Sequence, residues 1–154
     1  PAIGATLMRQ IADETGGKLC YAKVENAPQP KMIEAAVKAA EGKITVFGGA
    51  SGTCLIEELR RGSRGTMPWP SRPRSFARVW EHWEAGEEAA AEEVWAQEIH
   101  PVLRIQGLVH KQILYREGVI ATPLFRSPQP PPLDVTTQRE FDALCERLDI
   151  GQRK

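Results

Sequence analysis

Lys23 stands near the end of a short, mostly apolar run, Leu19-Cys20-Tyr21-Ala22-Lys23-Val24. Such a run reads as a buried strand, where an ammonium is expensive unless it is paired or neutral. In parallel α/β folds the C-terminal end of a strand is where active sites assemble. A lysine held there as a neutral amine adds to a ketone and forms an imine. A second reading is open from the same residues: a strand-end lysine whose stem is packed and whose head reaches water.

The second chemical feature is the loop Gly48-Gly49-Ala50-Ser51-Gly52, between an apolar strand and a helix. Glycines let backbone N–H groups approach an anion, so the loop suits a phosphate or a carboxylate, or serves as a plain tight turn. It lacks the Lys-Ser/Thr ending of a P-loop and the spacing of a dinucleotide fingerprint. His82, His100 and His110 have no metal-ligand spacing and read as surface or internally satisfied histidines. Cys20, Cys54 and Cys145 are widely separated, which argues against a zinc site or a disulfide framework. No cofactor and no metal are expected.

The elements that must position these groups alternate. A helix over 5–14 precedes the Lys23 strand, and Met32 to Ala40 forms an Ala-rich helix ended by Gly42. Ile44-Thr45-Val46-Phe47 is a second apolar strand, and a helix from Thr53 to Arg61 follows. Gly65-Thr66-Met67-Pro68 reads as a third, very short strand. Alternation with short loops means parallel βα units, with strands apolar on both faces because helices cover the sheet. Beyond Pro73 the pattern is helical: Phe76, Val79, Trp80 and Trp83 on one helix, Val94 and Trp95 on the next, then Leu108 to Arg116. Five prolines make 123–132 an extended loop. The last helix, 136–148, has Thr137 as its expected cap and Phe141, Leu144 and Leu148 as its buried stripe.

The composition is that of a soluble globular chain: 154 residues, 42% hydrophobic, 26% charged, with Lys plus Arg and Asp plus Glu at 20 each. A net charge of zero argues against a nucleic-acid or membrane-surface partner. Arg60, Arg61 and Arg64 lie beside Glu57 and Glu58 and read as a solvated helix face. With no membrane-length apolar stretch, and a start at Pro1 without a Met or a signal-like segment, the expected compartment is the cytoplasm.

In order and spacing these stretches resemble the dihydrodipicolinate synthase and N-acetylneuraminate lyase family of Schiff-base aldolases. Leu19 to Glu25 is similar to that family's sixth barrel strand, whose lysine forms the imine. Phe47 to Gly52, Glu57-Glu58-Leu59 and Arg61 to Pro68 resemble its seventh strand, the following helix and its eighth strand. Lys111 to Leu114, Glu117 to Ile120, Arg126-Ser127-Pro128 and Pro131-Pro132-Leu133 resemble its last helices and their proline-rich connector.

The resemblance implies an α/β fold: the C-terminal portion of a (β/α)8 TIM barrel, about three βα units over 1–73, then a final barrel helix and helical extension over 74–154. It implies a lyase acting on pyruvate or a 2-keto-3-deoxy sugar acid, with Lys23 as nucleophile and with Gly49 and the Met67 backbone bordering the keto-acid pocket. The Lys-Val-Glu triplet is closer to the members that dehydrate 2-keto-3-deoxy sugar acids. Full-length members are usually oligomers, which implies a homo-oligomer. The family's carboxylate-binding Thr-Thr/Ser loop and catalytic tyrosine have no counterpart here, and Tyr21 reads as core. An absent half-barrel would leave strand edges unpaired. Two other readings stay open: a non-catalytic half-barrel that assembles through an exposed Trp80, Trp83 and Trp95 surface, and a phosphate-binding module built on Gly48–Gly52.

Overall fold

A computed structural model of the chain describes residues 3–16, 20–105, 109–126 and 128–151. The contacts divide it into two compact units, Pro1–Pro68 and Trp69–Lys154. Leu19, Leu108 and Ser127, which figure in the sequence reading, lie outside the described residues.

The first unit runs α1 (Ala5–Thr15), β1 (Tyr21–Lys23), α2 (Gln29–Ala40), β2 (Thr45–Phe47) and, after a short 3-10 turn at Ala50–Gly52, α3 (Leu55–Leu59). Gly16 ends α1 at φ 61°, a left-handed stop that glycine adopts without strain. The strands β1 and β2 pair in parallel, with Tyr21 opposite Thr45, Ala22 opposite Val46 and Lys23 opposite Phe47. Side chains alternate, so Val24 and Val46 face the helices and join Met8, Ala12, Ile33, Ala36, Ala40 and Ile44 in one core.

Three expectations are corrected here. β1 is not covered on both faces: α1 and α2 pack on the Val24 and Val46 side, and among the described residues the opposite face of β1 is open. Tyr21 is therefore 68% exposed rather than core, with its ring 6.0 Å from that of Phe47. The third strand is a single parallel bridge between Gly48 and Thr66. Gly65 breaks the extended run with φ 123°, and Pro68, which lacks an N–H, closes it. Glu58 does not lie on a solvated face. With Leu55, Ile56 and Leu59 it is buried, because the five-residue α3 is enclosed on nearly every side.

The second unit contains α4 (Pro73–Glu84), α5 (Glu88–Val94), a π turn over Trp95–Ile99, α6 (His100–Arg104), α7 (Val109–Arg116) and α8 (Val135–Arg147). The π turn has a local cause. Pro101 has no N–H, and its ring would crowd the carbonyl four residues back. That carbonyl belongs to Gln97 and accepts instead from Arg147 Nη1 at 3.4 Å. Val102, Val109, Ile113, Phe141, Leu144, Cys145 and Ile150 form the core. The cap of α8 is Asp134 rather than Thr137. Its Oδ1 accepts from the N–H groups of Thr136 and Thr137, both at 3.0 Å. Trp80, Trp83 and Trp95 are half-buried, and the exposed tryptophan is Trp69.

Candidate active site around Lys23

The register of the first unit lines up three C-terminal strand ends. Lys23 is opposite Phe47, and Gly48, the next residue on that chain segment, bridges to Thr66. Lys23, Gly49 and Met67 thus sit at adjacent positions along one sheet end. The Met67 N–H donates to the Gly48 carbonyl at 3.1 Å, which ties its backbone to the loop, while its side chain is exposed.

Of the two readings open from the residues, the structure shows the lysine whose head reaches water. It projects from the open face of β1, half-exposed, with Nζ 3.0 Å from Glu25 Oε1. Glu25 follows at i+2, so the two side chains leave the segment on one side. The same Oε1 accepts from the Ala50 N–H at 2.7 Å. That backbone donor, and then the Lys23 ammonium, hold the Glu25 carboxyl below the usual carboxylate range. The glycine-rich loop therefore receives a carboxylate, and it is the chain's own.

The loop's composition follows from this contact. A Cβ on Gly49 would stand 2.3 Å from Glu25 Cγ. Ala50 and Ser51 adopt φ of 44° and 65°, so the chain turns sharply enough to aim the Ala50 N–H at Glu25. A cavity of about 540 Å³ opens beside Lys23, with Tyr21, Lys23 and Asn26 at its polar side and Met8, Ile11 and Met32 among its apolar walls.

Glu58 is a second carboxylate near these strand ends, and it is the one that the solvated-face reading misplaced. Its Oε2 lies 1.7 Å from where a Cβ on Gly48 would be, so Gly48 makes room for it between β2 and α3. Both carboxyl oxygens are buried without a hydrogen-bond partner among the described residues. Burial, followed by the nearby Glu57 charge, pushes its pKa up to about 7.

The histidines lie away from this site in sequence and each has a partner. His82 Nδ1 is 2.6 Å from Glu87, and His100 stacks on Trp95. His110 Nδ1 is 2.7 Å from Ser71 Oγ, its ring stacks on Trp69, and burial lowers its pKa. No cluster of three metal-ligating side chains occurs among the described residues, and none of the three cysteines is in a disulfide. Among those residues no helix is long and apolar enough to cross a membrane. A smaller cavity of about 170 Å³ lies between α7 and the proline-rich loop. Its lining has no titratable side chain, so it offers neither a nucleophile nor an acid or base.

No protein-family model and no curated protein matches the chain. Solved structures do. A dihydrodipicolinate synthase from Rhodopseudomonas palustris superposes with a TM-score of 0.79 and 25% identity over 96% of this chain and 51% of its own. One from Thermotoga maritima gives 0.71 and 15% identity over 94% and 52%. A prophage protein of the dihydrodipicolinic acid synthase family from E. coli K12, solved in complex with pyruvate, gives 0.69 and 16% identity over 96% and 51%. The chain spans about half the length of these structures. The resemblance drawn from the residues is thus matched by structural neighbours of the same family.

Proposed function

We propose that the chain is the C-terminal half of the (β/α)8 barrel of a Schiff-base lyase of the dihydrodipicolinate synthase family, and that Lys23 is its nucleophile. In this reading residues 1–73 supply the last βα units, and 74–154 supply the final barrel helix and a helical extension. The observation that carries it is the placement of Lys23. It stands at the C-terminal end of a parallel strand, facing the open side of the sheet and held at 3.0 Å by Glu25, which the Ala50 N–H anchors in turn.

The Lys23 ammonium first gives a proton to solvent; the amine then adds to the carbonyl carbon of a 2-keto acid, and the carbinolamine takes up a proton and loses water to leave a protonated imine. The protonated imine then accepts the electron pair released when the neighbouring C–C bond breaks, or when a proton leaves the adjacent carbon before water is lost. Glu25 keeps the lysine head at the mouth of the strand and, as a carboxylate, faces the cationic imine. Gly49 and the Met67 backbone border the keto-acid pocket. The substrate is pyruvate or a 2-keto-3-deoxy sugar acid in the cytoplasm, and the Lys23-Val24-Glu25 triplet favours the dehydration branch.

Borohydride reduction in the presence of pyruvate, followed by intact mass and peptide mapping, tests the reading. The expected result is one adduct on Lys23, absent from Lys23→Ala. A folded chain that gives no adduct sinks it. The second reading, a non-catalytic half-barrel that serves as an assembly piece, is favoured by the exposed Tyr21 face of β1, and it predicts that null result.

A further inference from the structure

Two consecutive glycines are gripped by two carboxylates. A Cβ on Gly48 would fall 1.7 Å from Glu58 Oε2, and one on Gly49 would fall 2.3 Å from Glu25 Cγ. The second grip reaches Lys23, because Glu25 Oε1 accepts from the Ala50 N–H at 2.7 Å and lies 3.0 Å from Lys23 Nζ. The first ends in a dry enclosure. Glu58 is fully buried, and neither of its carboxyl oxygens has a hydrogen-bond partner among the described residues. A carboxyl so placed is stable only with its proton, since an anion there would have neither water nor a donor.

The groups around Glu58 do not offset that cost. On α3 its charged neighbour is Glu57, which adds to the effect of burial and raises the Glu58 pKa further. Ahead of α3, burial and then the two glutamate charges push the Cys54 thiol up. β2 brings no charged side chain, and the charged residues of α2 are exposed or half-exposed, with Glu34 paired to Lys38. Arg61 Nη1 donates to the Glu57 carbonyl at 2.8 Å, and Arg60 and Arg64 are exposed.

Losing the proton must therefore open the contact with Gly48. Gly48 itself is tied by its N–H to the Gly65 carbonyl and by its carbonyl to the Met67 N–H, at 2.9 and 3.1 Å. The segment free to give is the turn after it. Ala50 and Ser51 hold left-handed φ of 44° and 65°, angles that residues with a Cβ adopt at a cost. A shift of Gly49 and Ala50 draws the Ala50 N–H away from Glu25.

We infer that Glu58 is a positioning residue for Lys23: its protonated carboxyl holds Gly48 and the turn after it, and that turn holds Glu25 against the lysine. Ionisation of Glu58 loosens the turn and releases Glu25. The chemical consequence rests on the lyase reading above, whereas the link from Glu58 to Glu25 does not. A free amine adds to ketones faster as pH rises and its proton leaves. Glu58 works against that trend, so the site is best organised below the pH at which Glu58 ionises.

The test is a pH series from 5 to 8 on the 154-residue chain, with pyruvate as the probe for reactivity. The Glu58 carboxyl carbon shift gives the ionisation midpoint, and the Ala50 amide shift should move at the same midpoint. Glu25, held below the usual carboxylate range, is already ionised across this window. Glu58→Gln keeps the neutral shape and should remove the Ala50 step. The rate of borohydride-trapped adduct on Lys23, taken as the ratio of parent to Glu58→Gln at each pH, should fall about tenfold from pH 5 to pH 8. An Ala50 amide that stays still while Glu58 ionises overturns the inference. So does a step that persists in Glu58→Gln, or a ratio of rates that does not change with pH. If the variant does not fold, the two shifts in the parent chain decide alone. The lyase reading fails separately: no adduct at any pH, with Ala50 still following Glu58, sinks the imine chemistry and leaves the link between the two carboxylates standing.

Discussion

Glu25 Oε1 lies 3.0 Å from Lys23 Nζ and 2.7 Å from the Ala50 nitrogen, so one carboxylate oxygen links the candidate nucleophile to the glycine-rich loop. The pair is half-exposed, and such ion pairs contribute little to folding. Its effect should therefore appear in reactivity. Glu25→Gln, which keeps the shape and loses the charge, should leave the thermal midpoint nearly unchanged. It should slow borohydride-trapped adduct formation on Lys23 about tenfold. Glu25→Asp should recover part of the rate. Equal rates in Glu25→Gln and the parent chain would remove Glu25 from the site.

Gly49 acts on the same group through space rather than charge. A Cβ there would meet Glu25 Cγ at 2.3 Å, too close for either to stay, and backbone on one side leaves the side chain to give way. Gly49→Ala should push Glu25 off the Ala50 N–H and slow trapping by about as much as Glu25→Gln. In a Glu25→Ala background the Cγ is gone, and Gly49→Ala should have no further effect. Additive losses in the double variant would show that Gly49 matters for another reason.

Glu58 makes stability depend on pH in a direction opposite to most carboxylates. Its pKa is raised from the ordinary 4.5 to about 7, so the folded chain keeps a proton that the unfolded chain has released. Between those two values the folded state binds more protons, and stability must fall as pH rises. The loss begins near pH 4.5, is complete just above pH 7, and amounts to about 3 kcal/mol on this pKa difference. Urea unfolding at pH 5 and pH 8 reads it directly. Glu58→Gln should flatten that contribution, and an unchanged pH slope in the variant would assign the dependence elsewhere.

These two carboxylates show where the sequence was legible. Lys23 stood out because a charged residue in an apolar run demands an explanation, and the βα alternation around it followed from helical spacing, glycine stops and short apolar strands. Gly49 was placed for its loop, while Glu25, two residues from the lysine, had only its part in the triplet. The alternation of a strand already put the two on one side. Tyr21 was misread because the burial of a strand face depends on what covers it, and β1 has cover only on its Val24 side. Glu58 was misread because a five-residue helix is too short to show a period, so its acidic residues resembled a solvated face. The Gly65–Pro68 strand is one bridge because Pro68 closes it and because Gly65 turns at φ 123°, an angle that no hydropathy pattern encodes.

Gly48 should be tolerant of change only if Glu58 changes with it. A Cβ on Gly48 would fall 1.7 Å from Glu58 Oε2 and 2.5 Å from Cδ, and the carboxyl has little room to withdraw because both its oxygens are already buried. Gly48 also exchanges backbone bonds with Gly65 and Met67, at 2.9 and 3.1 Å, so moving it would strain the join to the last strand end. Gly48→Ala should therefore cost about 2 kcal/mol by overpacking. Glu58→Ala empties the space that the new methyl needs, and in that background Gly48→Ala should be close to neutral. The double-mutant cycle then gives a coupling of about 2 kcal/mol, measured by urea unfolding at pH 5, where the folded chain keeps the Glu58 carboxyl neutral. A coupling near zero would mean that Gly48 is required by its backbone bonds and not by the carboxyl it faces.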